Sequence, residues 1–128
     1  MLRILFFIFY VLYYSPSFAL QSDWSGLDEA QVRIISPISK AGDNPNLYLG
    51  LEYKLQEGWK TYWHTPGDGG FPQSLGWNQS TNIDSLEILW PLPTQFEILG
   101  LQSIGYKEEV IFPLKIKLKN KDIPSKFF

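Results

Sequence analysis

Two stretches of strict alternation do most to limit what this chain can become. Leu47, Leu49, Leu51, Tyr53 and Leu55 fall on one phase, and Tyr48, Gly50, Glu52 and Lys54 fall on the other. Near the other end, Val110, Phe112, Leu114, Ile116 and Leu118 alternate with Lys115, Lys117 and Lys119, and Pro113 takes the outward phase. A period of two is the geometry of a strand with one face in a core and one in water. Such strands need a second layer to cover the apolar face. The lysine row also reads as the guard of a sheet edge.

The remaining segments fit the same class. Gln31 to Ser36 reads as a first strand stopped by Pro37, and Lys40 to Asn46 is a turn cluster. Glu57-Gly58 is expected to turn the Leu47–Leu55 strand into Trp59 to Trp63, its hairpin partner. Ser85 to Trp90 is strand-like and ends at Pro91-Leu92-Pro93, because proline cannot donate to a ladder. Gln95 to Gly105 reads as a loop with a short apolar stretch. There is no sustained helical period and no repeat. The expectation is an all-β antiparallel sandwich.

The first nineteen residues read as an address. Arg3 precedes an apolar run from Ile4 to Tyr14, and Ser17-Phe18-Ala19 supplies small residues where a signal peptidase cuts. The run has 11 residues, whereas a bilayer span takes about 20. A signal peptide over 1–19, cleaved after Ala19, is expected; the alternative is an uncleaved anchor. Residues 20–30 read as a loose lead-in arm, and 31–128 as the sandwich. No later segment is apolar enough to span a membrane.

Composition then removes whole classes of chemistry. The chain has no Cys, and its one Met is Met1. Disulfides, thiol catalysis and thiolate metal sites are excluded within these residues. The 11 basic and 13 acidic side chains leave a charge of −2, too mild to suggest a nucleic acid.

Between the alternating runs lies the most particular stretch. Gly58-Trp59-Lys60-Thr61-Tyr62-Trp63 runs through His64-Thr65 into Pro66-Gly67-Asp68-Gly69-Gly70-Phe71-Pro72. Aromatic rings supply a large buried area, and the glycines take the backbone where other residues go at a cost. Downstream come Trp90-Pro91-Leu92-Pro93, then Gly105-Tyr106 leading into Val110-Ile111-Phe112-Pro113-Leu114. These four pieces, in this order, resemble the N-terminal periplasmic domain of the DsbD/ScsB-type thiol:disulfide interchange proteins, the protein-disulfide reductases. The likeness covers roughly Gln31 to Leu118. It implies an immunoglobulin-like β-sandwich in the periplasm, with no cofactor or metal. Its partners would be oxidised periplasmic thiol-disulfide proteins and a membrane-embedded electron-donor domain. In that family a cysteine pair on a late strand exchanges with disulfides, one thiolate attacking and the second resolving the mixed intermediate. A cap loop bearing an aromatic shields the pair; by order along the chain, Phe96 within Gln95 to Leu101 is the candidate.

Here the departure matters. The family's pair follows the strand ending near Leu118, and no cysteine stands there or anywhere else. No catalytic residue can be carried over. Either the chain is a truncated or split reductase whose sandwich lacks its last strands, or a degenerate copy that binds without reacting. Phe127-Phe128 either tuck against the sheet or mark a polypeptide cut short.

Other candidates weigh less. His64 is the only histidine and has no nucleophile beside it in sequence; a lone His is more often structural. Asp68 could hold a cation, but Asp in such a turn usually bonds its own backbone. Glu108 and Glu109 would point to opposite strand faces. The five tryptophans, Trp24, Trp59, Trp63, Trp77 and Trp90, open a different class of function. An exported binding module could use aromatics around Trp63 and Phe71 to hold a protein or glycan. Core filling is expected for Trp59 and Trp90, while Trp24 could mark a contact surface.

Overall fold

The structure, a computed structural model, describes residues 20–126. The expected signal peptide and Phe127-Phe128 therefore lie outside the described residues. Among those described there are nine strands and no helix. They are β1 (Leu20–Gln21), β2 (Ser25–Leu27), β3 (Ala30–Ser36), β4 (Asn46–Leu55), β5 (Lys60–Gly67), β6 (Ile83–Ile88), β7 (Thr94–Ile98), β8 (Leu101–Lys107) and β9 (Glu109–Leu118). Two antiparallel sheets result. The larger runs β1-β3-β4-β9-β6, with β2 also on β3; the smaller runs β5-β8-β7.

The two alternating runs, β4 and β9, pair along their whole length from Asn46↔Lys117 to Lys54↔Glu109. Their apolar phases make the core: Leu49, Phe112, Leu114, Ile116 and Leu118 are buried, joined by Ile83 of β6. At Gly50, opposite Pro113 on the outward phase, a Cβ would strike the side chains of Ile35 and Ile111, which close over it. Ion pairs dress that outer face. Arg33 meets Glu52 at 2.5 Å with the Trp24 ring 4.4 Å from the guanidinium, and Lys117 meets Asp84 at 3.2 Å.

The sheets are joined through Phe112. Three rings meet it edge-on, Tyr106 of β8 at 5.0 Å, Tyr53 of β4 at 5.3 Å and Trp90 at 5.4 Å. Edge-to-face is the geometry favoured by ring quadrupoles. Away from this joint the apolar face opens into a trough of about 790 Å³, with Ile34, Ile38, Leu47, Leu49, Leu118 and Ile123 in its walls. Asn82 fixes one rim. Its side-chain Nδ2 donates to the carbonyls of Asn120 and Ile123, both at 2.7 Å, and its Oδ1 accepts from the Asn120 N–H at 2.8 Å.

Several expectations change. Residues 20–30 are not a loose arm, because β1 and β2 dock on β3 and the Ser22 hydroxyl accepts the Ile34 N–H at 2.9 Å. β4 and β5 form no hairpin. The turn at Gln56–Trp59, with Gly58 at φ 85°, hands the chain to the other sheet, where β5 pairs with β8. β9 is no edge: it pairs on both sides, with β4 and β6. Its lysines face water, and the strand lies mid-sheet. Gln95 to Gly105 is no loop either. It forms the β7–β8 hairpin, closed by Ile98↔Leu101. Trp59 does not fill the core; it sits on the turn, 52% exposed.

Candidate functional site

Most of the residues that carried the family likeness gather on the smaller sheet, while Val110 to Leu114 lie on β9 of the larger. β5 and β8 pair from Lys60↔Lys107 to Tyr62↔Gly105, and pairing resumes only at Gly67↔Ser103. Four residues of β5, Trp63 to Pro66, thus stand opposite Ile104 alone. Such an excursion breaks the ladder and re-aims side chains. It places His64 between two indoles, 4.0 Å from Trp63 and 5.4 Å from Trp90, with its Nδ1 2.9 Å from the Thr65 hydroxyl. The Trp63 indole N–H is buried with no partner among the described residues.

The Pro-Gly-Asp-Gly-Gly run then folds back over β8. Asp68 and Gly69 both donate their N–H groups to the Gln102 carbonyl, at 2.8 and 3.2 Å. Gly67 has φ 82°, and a Cβ there would lie 2.7 Å from that same carbonyl. At Gly69 a Cβ would stand 2.5 Å from the Ser103 Oγ, and at Gly70 it would enter the Tyr62 ring. The glycines serve contact as well as turning, since the loop sits on the sheet at a spacing no side chain fits. Ser103 beneath it is fully buried, its hydroxyl without a partner among the described residues. The Gln73 side-chain amide, just past the loop, donates to the Tyr62 carbonyl.

Gly105 completes the clasp. Its Cα faces the backbone of β5, where a Cβ would collide with the Thr61 carbonyl oxygen and lie 2.8 Å from the Tyr62 Cα. Over this gap Tyr62 tilts toward Phe96 of β7, centroids 6.3 Å apart, and the Lys60 ammonium sits 5.3 Å from the Phe96 centroid. Tyr106 donates its hydroxyl to the Pro91 carbonyl at 2.9 Å, which moors the Trp90-Pro91-Leu92-Pro93 segment to β8. Burial pushes the Tyr106 hydroxyl above the usual tyrosine range, and Tyr53 shifts the same way for the same reason.

Most of the predicted residues therefore converge. Lys60, Tyr62, Trp63, Pro66, Gly67, Asp68, Gly70, Gly105 and Tyr106 lie on or against the smaller sheet, with Trp90 and Pro91 at its joint. Trp59 and Pro72 stand in solvent, Gly58 only shapes its turn, and half-buried Pro93 precedes β7. Gln102, Ser103 and Gln73 were missed. Each acts through a backbone group or a small hydroxyl, and only the neighbouring glycine run hinted at so close an approach. No thiol is present, and among the described residues no three His, Cys, Asp or Glu side chains converge to hold a metal.

The class is thus an all-β, sandwich-like protein whose smaller sheet is clasped by a glycine loop. The model of the family described as "Thiol:disulfide interchange protein DsbD, N-terminal" matches residues 29–127, and the chain belongs to that family. Among solved structures it is similar to the N-terminal periplasmic domain of ScsB from Proteus mirabilis, at 32% identity and a TM-score of 0.67. The match covers 78% of this chain and 40% of that one, so the chain spans well under half of that solved relative. No curated protein matches.

Proposed function

We propose that this chain is a periplasmic domain of a thiol:disulfide interchange reductase, serving as scaffold and docking part while the reacting thiols lie outside these 128 residues. The carrying observation is the family match over 29–127 in a sequence with no cysteine. On this reading residues 1–19 are the export signal, and residues 31–128 form an immunoglobulin-like sandwich with 20–30 strapped to it. Electrons would pass from a membrane-embedded donor domain to oxidised periplasmic proteins, through a cysteine pair that the sandwich helps to present. Phe96, backed by Tyr62 and Lys60, is the proposed shield for that pair.

The test is thiol exchange. In an insulin-reduction assay the isolated chain should give no turnover above the dithiothreitol background, because the thiolate that must attack is missing. Turnover by this polypeptide would overturn the account. Phe96→Ala, introduced into a reductase assembled with its cysteine pair, should speed oxidation of that pair by small disulfides; an unchanged rate would remove the shielding role.

A second reading has one observation in its favour. Phe71 is 83% exposed, so an aromatic does reach solvent at the end of the glycine loop. A non-catalytic exported module could hold a protein or glycan there. Trp63 is packed against His64, so the discriminating change is Phe71→Ala. A glycan array or pull-down signal that disappears with it favours the binding module.

A further inference from the structure

We infer that the tip of the β7–β8 hairpin, with Phe71 beside it, is a docking knob for a partner protein that offers an apolar recess rimmed by basic side chains. Leu99 and Gly100 form a two-residue turn at φ 51° and 82°. Both residues are left-handed, the pattern of a hairpin turn that favours Asn-Gly. Leucine at the first position is strained there, and its side chain is 98% exposed. Neither the turn nor the core gains from it. A strained backbone combined with a fully exposed large apolar side chain points to a contact outside the molecule.

Two neighbours enlarge the knob. Leu101, which closes the hairpin opposite Ile98, is 48% exposed, and a Cβ on Gly69 would lie 2.9 Å from the Leu101 Cβ. The glycine loop thus abuts the base of the turn and releases Phe71, 83% exposed, two residues later. Three large apolar side chains from two loops make an anchor of the sort that fills a partner's pocket.

Charge selects the occupant. The exposed carboxylates at the knob are Asp68 on the loop and Glu97 on β7, the latter held by the Gln102 amide at 3.4 Å. The cations of this sheet face, Lys60 and Lys107, are paired in register at the end of the sheet away from the tip, with Lys60 engaged over Phe96. Two negative charges beside an apolar tip disfavour anionic lipid headgroups and favour a protein rim of lysine or arginine. The inference uses no thiol, so a flat insulin assay leaves it standing.

The test places a photo-crosslinking benzoylphenylalanine at position 99 or 71 of the full chain in cells. The control is position 92, whose Leu92 is 93% exposed. One and the same protein should be captured from 99 and 71 and not from 92, at an apolar site with lysine or arginine adjoining. Leu99→Asn should reduce the adduct formed from position 71 roughly tenfold, the weight of one anchor residue, while its thermal midpoint stays level or rises. No adduct, equal capture from position 92, or a lower midpoint for Leu99→Asn would overturn the inference. So would binding of the chain to vesicles of phosphatidylcholine, with or without phosphatidylglycerol, that Leu99→Asn abolishes.

Discussion

The two sheets are built on different principles. The larger is an apolar layer. Its core residues, from Leu49 to Leu118, alternate with residues that face water, Tyr48, Lys54 and Lys117 among them. The smaller sheet contributes few buried apolar side chains and is held by close approach, through Gly67 and Gly69 over β8, Gly70 against the Tyr62 ring and Gly105 against the β5 backbone. Burial of area stabilises the first; exact spacing stabilises the second. Most of the family's recognisable residues belong to the second, which is why they look unusual in sequence and yet carry no reactive group.

The largest effect should come from the layer. Ile116 is completely buried, and Ile116→Ala should cost about 4 kcal/mol in urea denaturation, the smaller sheet failing with the larger because its Tyr106 packs on Phe112 of β9. A smaller sheet that outlasts the larger in this variant would break the comparison. Next comes spacing. Gly105→Ala adds one methyl against the Thr61 carbonyl and should cost about 3 kcal/mol, near the upper end for overpacking. A loss below roughly 1 kcal/mol would show that the two strands part easily.

These contrasting designs explain what could be read in advance. β4 and β9 were legible because each has one dry face and one wet face, and alternation records that difference directly. β7 and β8 were not. The glycine loop covers Ser103 and the β5 backbone closes on Gly105, so both are buried along with Tyr106, and the run from Leu101 to Lys107 shows no clean alternation. β5 was found but given the wrong partner, since nothing local says that the turn at Gly58 changes sheets. The Trp59–Pro72 stretch marked the right region, while the acceptor at Gln102 is a backbone atom and leaves no mark in the sequence.

Smaller effects sharpen the picture at the joint. Tyr106→Phe deletes the hydroxyl bonded to Pro91 and should cost about 1 kcal/mol, with the edge-on ring contact to Phe112 kept. It should also alter the pH response. Tyr106 and Tyr53 hold their protons more tightly in the folded chain than in the unfolded one. As pH rises above the ordinary tyrosine value near 10, the unfolded state loses protons first and stability falls. Below that value these groups leave stability unchanged. Urea midpoints taken at rising alkaline pH should show the decline, and Tyr106→Phe should make it shallower. The smallest effect belongs to the outer face. Replacing Arg33 by Met breaks a pair that is only partly buried and should cost about 1 kcal/mol or less, weakening further in salt.

The central claim is that the residues marking this family serve as a clasp on the smaller sheet. Amide hydrogen exchange on the wild-type chain and on Gly105→Ala reads this directly. Protection in β5, β7 and β8 should collapse in the variant, while β4 and β9 keep most of theirs through Leu114 and Ile116. Equal loss of protection in both sheets, or none in either, would contradict it.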